Sequence, residues 1–271
     1  MQAIKYKWLT NDKNFEPFIF VKNGGNIERI RLMNENISIS VGKKHCIGYI
    51  RNGRHLDCPH NMLVESGWHC NECRINDDFF LCVKCTGEQC INEKQRPACK
   101  ESVYFMYLAA FDSMLKVGIS YGQRLIERLV EQGADFGAKV AVIKDGMDVR
   151  KFEQDVKSYL KIVDRVTGDQ KQSMIFGNPN LSIPRIFNAI SLLRNNGISQ
   201  YMVPPEVYDL RDYYKLEQVP YLPSKIKIDE RAKVEGAVVA AKGNIVILRN
   251  DRGFFSFNSH DLIGRDIAAA N

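Results

Sequence analysis

The sequence predicts an α+β protein in three parts, and three observations carry that expectation. A cysteine-rich segment from Cys46 to Cys99 interrupts the apolar patterning of the chain. After residue 102 the patterning alternates between strand-like runs and helical stripes, in the order β-β-α-β-α. After prolines at positions 204, 205, 220 and 223 it turns to β-formers alone. The expected parts are a β-rich N-terminal domain with a cysteine module over 1–100, an α/β domain over 101–200, and a linker with a small all-β domain over 201–271.

In the first part, Phe18-Ile-Phe-Val and Ile37-Ser-Ile-Ser-Val are rich in β-formers, with an Asn-Gly-Gly turn between them at Asn23 to Gly25. The stretch 46–99 has few apolar runs of its own, so it needs another source of stability.

In the second part, Val103 to Phe111 is long and apolar enough for a buried strand. Asp112-Ser113 makes a turn, and Met114 to Ser120 completes a hairpin. Gly122 to Gln132 has helical spacing, with Leu125 and Leu129 on one face and Gly133 as its stop. Lys139 to Ile143 is a third strand, and Val149, Phe152, Val156, Leu160 and Val163 form the stripe of a second helix. Residues 164–180 read as a polar loop. Ser182 is the expected N-cap of a further helix, with Ile186, Ile190 and Leu193 as its apolar face and Gly197 at its end.

In the third part, the prolines mark a linker. Val234 to Leu248 reads as two strands around Lys242-Gly243-Asn244, and Asn250 to Gly253 turns into a strand with Phe254, Phe255 and Phe257.

Composition narrows the classes. With 271 residues and 45% apolar content the chain can bury a real core. Its 38 Lys and Arg against 32 Asp and Glu give a net charge of +6, which permits a nucleic-acid partner without demanding one. The first ten residues lack the apolar core of a secretory signal, and no run approaches about 18 apolar residues, so no membrane association is expected. The expected location is cytoplasmic. In that reducing environment clustered cysteines bind metal more often than they form disulfides.

Cys70-x2-Cys73 and Cys82-x2-Cys85 form the strongest motif in the chain. A two-residue gap lets one tight turn present two thiolates about 2.3 Å from a zinc ion. Cys46 and Cys58 precede these pairs, and Cys90 and Cys99 follow. Eight thiolates fill two structural zinc sites. Either the two tight pairs share one ion, or each recruits an outer pair. The same ligands suit an iron–sulfur cluster, but two facing CxxC pairs favour zinc. His45, His55, His60 and His69 lie in or beside this region and are expected as surface or supporting residues rather than ligands.

The hairpin from Val103-Tyr104 to Lys116-Val-Gly118-Ile-Ser120, with Arg124 on the next helix and Glu153 on the one after, resembles the GIY-YIG nuclease superfamily. The whole chain also resembles an uncharacterised, mainly archaeal family that combines a cysteine-rich N-terminus, a segment like Lys116-Val-Gly-Ile-Ser…Glu131-Gln-Gly-Ala and a C-terminal stretch like Glu235-Gly…Lys242-Gly. The nuclease resemblance implies a GIY-YIG-like central domain. It implies a catalytic set of Tyr104 at the first-motif tyrosine, Lys116, Arg124 or Arg128 one turn on, and Glu153 holding Mg²⁺ or Mn²⁺. Lys116, Arg124, Arg128 and Lys157 would contact nucleic acid, and Lys171 echoes a downstream basic residue. A hard cation and an arginine offset charge on the scissile phosphate, while a phenol or bound water handles the proton. The chain departs from the pattern at Lys116, which stands where a second tyrosine belongs and does not copy phenol chemistry. Tyr107 and Tyr121 are the nearest phenols, neither at the matching position.

Three functions follow as expectations. One is a metal-dependent phosphodiesterase acting on DNA or RNA. Another is a non-catalytic binder of RNA or ribonucleoprotein, with aromatics of the C-terminal strands stacking on bases. The third is a scaffold whose zinc module docks a protein partner.

Overall fold

The computed structural model describes residues 1–11, 14–163, 165–195 and 200–270. Gly197, the expected end of the last long helix, lies outside them. Along the chain the first strands are β1 (Gln2–Asn11), β2 (Asn14–Asn23), β3 (Asn26–Arg31), β4 (Asn36–Lys44), β5 (Tyr49–Arg51) and β6 (Arg54–Leu56). Short helices α1 (Asn71–Asn76), α2 (Phe80–Val83) and α3 (Arg96–Glu101) follow. Next come β7 (Val103–Phe111), β8 (Met114–Tyr121), α4 (Leu125–Gln132), β9 (Phe136–Lys144), α5 (Gly146–Leu160), α6 (Gly168–Ser173) and α7 (Pro179–Asn195). The chain continues through β10 (Met202–Asp209), β11 (Ser224–Lys225), β12 (Lys233–Lys242), β13 (Ile245–Asn250), β14 (Gly253–Asn258) and β15 (Arg265–Ala269). Among the described residues no helix is long and apolar enough to cross a membrane.

The sequence divides the chain near residues 100 and 200. The contacts divide it otherwise, into unit one (Met1–Phe80 with Tyr213–Asn271) and unit two (Leu81–Asp212). Unit one holds a sheet with the strand order β11-β14-β13-β12-β4-β15-β1-β2-β3. The C-terminal strands therefore complete the N-terminal sheet. Its centre, β4, pairs with β12 through Ile39↔Val234 and with β15 through Val41↔Ile267. Burial explains the merger. Ala240 to Lys242 and Ile245 to Leu248 are all buried, more apolar surface than so short a stretch covers unaided. The shared core draws Ala3, Ile19, Val21 and Val41 from one end of the chain, and Val234, Val238, Leu248, Phe257 and Ile267 from the other. Phe257 is thus a core residue, and Phe254 packs edge-on against Tyr221 at 5.3 Å, which leaves neither as a free stacking surface.

Unit two is an antiparallel sheet in the order β10-β9-β7-β8 with helices between its strands. Met106, Leu108 and Ala110 of β7 face the core with Val149, Phe152 and Val156 of α5 and Ile186, Ile190 and Leu193 of α7. Gly133 ends α4 in the left-handed conformation (φ 77°), its N–H reaching the Leu129 and Val130 carbonyls, as expected of a helix-stop glycine. Val163 falls beyond α5, which ends at Leu160. The expected loop 164–180 contains α6, started by a reciprocal Thr167–Gln170 cap. Asn178, rather than Ser182, starts α7, since its side chain accepts from the Asn180 N–H at 3.0 Å. The Ser182 hydroxyl instead donates to the Asp112 carbonyl at 2.8 Å. Pro204 and Pro205 sit in β10, not in a linker. β10 is an edge strand whose register slips between Met202 and Glu206, where a missing N–H costs no ladder bond.

Candidate functional site

Unit one gathers Cys46, Cys58, Cys70 and Cys73, whose sulfurs all lie within 4.8 Å of one another. Of the two pairings open from the sequence, the structure holds the one in which Cys70-x2-Cys73 draws on Cys46 and Cys58. Local geometry explains how. The β5–β6 hairpin closes through Asn52 and Gly53, both at positive φ (51° and 73°), and folds the chain between Cys46 and Cys58 back on itself. Gly48 sits at φ 86°, where a side chain would meet the Leu56 carbonyl at 2.0 Å, so only glycine allows that approach. Cys70 caps α1 and Cys73 lies in its first turn, which brings the tight pair to one side.

The geometry fits a tetrahedral thiolate ion. Four sulfurs at about 2.3 Å from zinc stand about 3.8 Å apart, and Cys58 Sγ lies 3.9 Å from Cys70 Sγ. The Cys70 N–H donates to Cys46 Sγ at 3.2 Å, a bond that would support a metal-bound thiolate there. Burial pushes the Cys73 thiol well up, and the neighbouring Cys46 and Cys70 sulfurs push it further. A bound dication reverses both effects, so these four residues can hold a metal ion such as zinc. The four histidines are engaged elsewhere. His45 Nδ1 pairs with the Asn61 carbonyl, His55 with Ile47 and His69 with Gly48, while His60 pairs with Glu72.

The other four cysteines, Cys82, Cys85, Cys90 and Cys99, are half-buried in unit two, along the segment before β7.

Unit two brings a different polar group together. In the β7–β8 hairpin Tyr107 pairs directly with Gly118. Its ring lies over that glycine so closely that a Cβ there would come within 2.5 Å of the hydroxyl. The buried Gln132 amide donates to the Tyr107 hydroxyl, and Lys116 Nζ donates to Gln132 Oε1 at 3.1 Å. Arg128, whose guanidinium stands 3.9 Å from the Glu131 carboxylate, and Glu153 both lie near enough for their charges to act on that hydroxyl. Burial raises the Tyr107 phenol above its ordinary range, with Glu153 adding to the rise and Arg128 opposing it. Tyr107 is therefore a neutral phenol at physiological pH.

Three expected residues thus lie about Tyr107, Lys116 through its bond to Gln132 and Arg128 and Glu153 through their charges. Tyr104 does not join them. It points to the opposite face of β7, into the core, and stacks on Tyr121 at 4.9 Å. Arg124 turns to Glu127 at 2.8 Å and Glu131 at 3.6 Å along the exposed side of α4. Lys157 lies one turn beyond Glu153 on α5, and Lys171 lies on α6. The residues missed from sequence are Tyr107 in this role and Gln132. Replacing Gly118 by alanine is expected to cost about 1–3 kcal/mol by overpacking against the Tyr107 ring. Urea denaturation followed by circular dichroism reads this, and an unchanged midpoint would show that the ring moves freely.

Residues 36–264 match the sequence family described as "Protein of unknown function (DUF2797)". The chain belongs to this family. The DUF2797 match begins at the first residue of β4 and ends just before β15, so it takes in both cysteine sets and the whole Tyr107 cluster. No curated protein and no solved structure matches the chain.

Proposed function

We propose that this DUF2797 protein binds nucleic acid through unit two, taking backbone phosphate at Lys116 and Arg128 beside Tyr107, while zinc held by Cys46, Cys58, Cys70 and Cys73 stabilises unit one. The observation that carries this reading is the placement of Lys116, Arg128, Gln132 and Glu153 around one buried phenol, Lys116 through Gln132 and the other two charges through space. Two cations of different geometry at one spot suit an anionic, tetrahedral ligand. The guanidinium offers a planar fork and the ammonium a point charge. The element order and the hairpin glycine agree with a divergent GIY-YIG-like domain, and the net charge of +6 permits a polyanionic partner.

Glu153 favours a second reading, metal-dependent phosphodiester cleavage. A carboxylate beside two cations can hold Mg²⁺ or Mn²⁺ against a bound phosphate. Binding without cleavage is preferred, because the phenol is neutral and shielded and Lys116 replaces the second tyrosine.

Labelled single- and double-stranded DNA and RNA, titrated over a range of salt, test both readings. The expected result is affinity that falls with salt, with Lys116→Ala and Arg128→Ala each reducing the slope of log affinity on log salt by about one. Salt-insensitive binding, or none, would overturn the proposal. Cleavage in Mg²⁺ or Mn²⁺ that disappears in Glu153→Gln would establish the second reading instead.

A further inference from the structure

We propose that Cys82, Cys85, Cys90 and Cys99 form a second, structural four-thiolate zinc site, inside unit two, that pins the segment before β7 to the first turn of α5. Three sets of contacts place this segment on that helix. Cys85 Sγ lies 3.6 Å from Met147 Sδ. Cys99 Sγ lies over Gly146, where any Cβ would stand 2.4 Å from the sulfur. Between them Gly87, at φ 94°, lies so close that a Cβ would meet the Lys151 nitrogen at 2.4 Å and the Met147 carbonyl at 2.6 Å. The first residues of α5 thus form a floor on which both ends of the cysteine segment rest.

The surroundings suit a thiolate centre. Zinc with four thiolates carries a net charge of about −2, so its neighbours must supply donors and positive charge. The Asn92 side-chain amide donates to Cys82 Sγ at 3.2 Å. The Arg96 guanidinium stands 4.0 Å from Cys99 Sγ and is held there by paired hydrogen bonds of 2.5 and 2.6 Å to Asp145. Arg150 reaches the Cys85 carbonyl at 3.4 Å, and its charge acts on the Cys82 thiol. The N-terminus of α5, a 15-residue helix, adds its own positive end. This segment also lacks a core of its own. Leu81, Val83 and Ile91 are all exposed, so apolar burial does not hold it.

Among the described residues the sulfurs of this set are not drawn within 4.8 Å of one another, as those of unit one are. An ion would close them. On its uptake four S–H bonds give way to four metal–sulfur bonds, and the protons pass to water.

Metal analysis of the full-length protein and native alkylation, each before and after chelation, test the site. Eight cysteines at four per ion give an expected two zinc equivalents per chain. Cys82, Cys85, Cys90 and Cys99 should resist alkylation until the chelator is added. The variant C82S/C85S should retain one equivalent and keep Cys46, Cys58, Cys70 and Cys73 protected. A wild type with one equivalent, whose Cys82, Cys85, Cys90 and Cys99 react as fast as free thiols, would overturn the proposal. Iron with labile sulfide in place of zinc would overturn it too. If C82S/C85S does not fold, the wild-type count and alkylation pattern decide alone. Neither readout depends on nucleic-acid binding, so this site and the phosphate site stand or fall separately.

Discussion

Replacing Cys70 and Cys73 together with serine is expected to strip the metal from unit one and unfold the stretch from Cys46 to Asn76. Closure of a structural thiolate site supplies on the order of 10 kcal/mol toward folding, comparable to the whole stability of an ordinary domain. Little else holds this stretch. The β5–β6 hairpin is three residues a side with most side chains exposed, and α1 has six residues, too few to persist without tertiary support. Ile50, Leu56, Met62, Leu63 and Ile75 all face solvent. The cross-links that remain are hydrogen bonds such as Cys46 N–H to Met62 O at 2.7 Å, Ile47 N–H to Trp68 O at 2.9 Å and those of the His55 and His69 rings to the Ile47 and Gly48 carbonyls, each of which needs the chain already in place. Elemental analysis together with hydrogen exchange over residues 46–76 reads the effect. Unchanged metal content and unchanged protection would mean that the four sulfurs are only buried thiols.

Replacing Trp8 by alanine is expected to destabilise unit one by about 3–5 kcal/mol, the usual cost of removing a fully buried large aromatic. Trp8 is wholly buried on β1, and its ring meets Tyr214 edge-on at 5.9 Å. Its indole N–H donates to the Gly243 carbonyl at 2.7 Å, at the turn between β12 and β13. One side chain therefore ties the first strand to two separate stretches of the C-terminal region. Trp8→Phe should cost less, because the ring contact is largely kept and Tyr6 still donates to the same carbonyl at 2.8 Å. Guanidinium denaturation followed by far-ultraviolet circular dichroism separates the two variants. Equal losses would assign the effect to the indole hydrogen bond rather than to the missing volume.

Local pattern was enough for most elements. The β-β-α-β-α order, the Gly133 stop and the strands around Lys242-Gly243-Asn244 follow from periodicity and turn chemistry alone. What escaped was long-range. That β4 lies between β12 and β15 depends on which sheet edge accepts which strand, and periodicity within a strand does not contain that choice. The same holds for the prolines of β10, which mimic a linker until a neighbouring edge strand is known. Cys46, Cys58, Cys70 and Cys73 were legible as candidate ligands, and their grouping needed the fold.

The Tyr107 cluster is an intermediate case. A two-residue turn at Asp112-Ser113 fixes the hairpin register, which sets Tyr107 opposite Gly118 and puts Tyr104 on the other face of β7. The register was within reach of the sequence, and motif matching overrode it. Gln132 carries no such signal, because a glutamine near a helix end is usually solvated.

The long stretch from Leu81 to Asp212 interrupts the sheet of unit one, and this has a temporal consequence for a chain emerging from the ribosome. The strands β1 to β4 are made before the inserted unit, yet β4 waits for β12 and β15, its partners on both sides, until that unit has been synthesised. The inserted unit, continuous in sequence, has all its partners at hand much earlier. During that interval β4 is an unsatisfied edge, the kind of surface that recruits strands from other molecules. The thiolate knot from Cys46 to Cys73 follows it directly and needs only residues already made. A metal ion loaded at that stage would bind the end of the waiting strand into a compact, charged cap before its partners arrive.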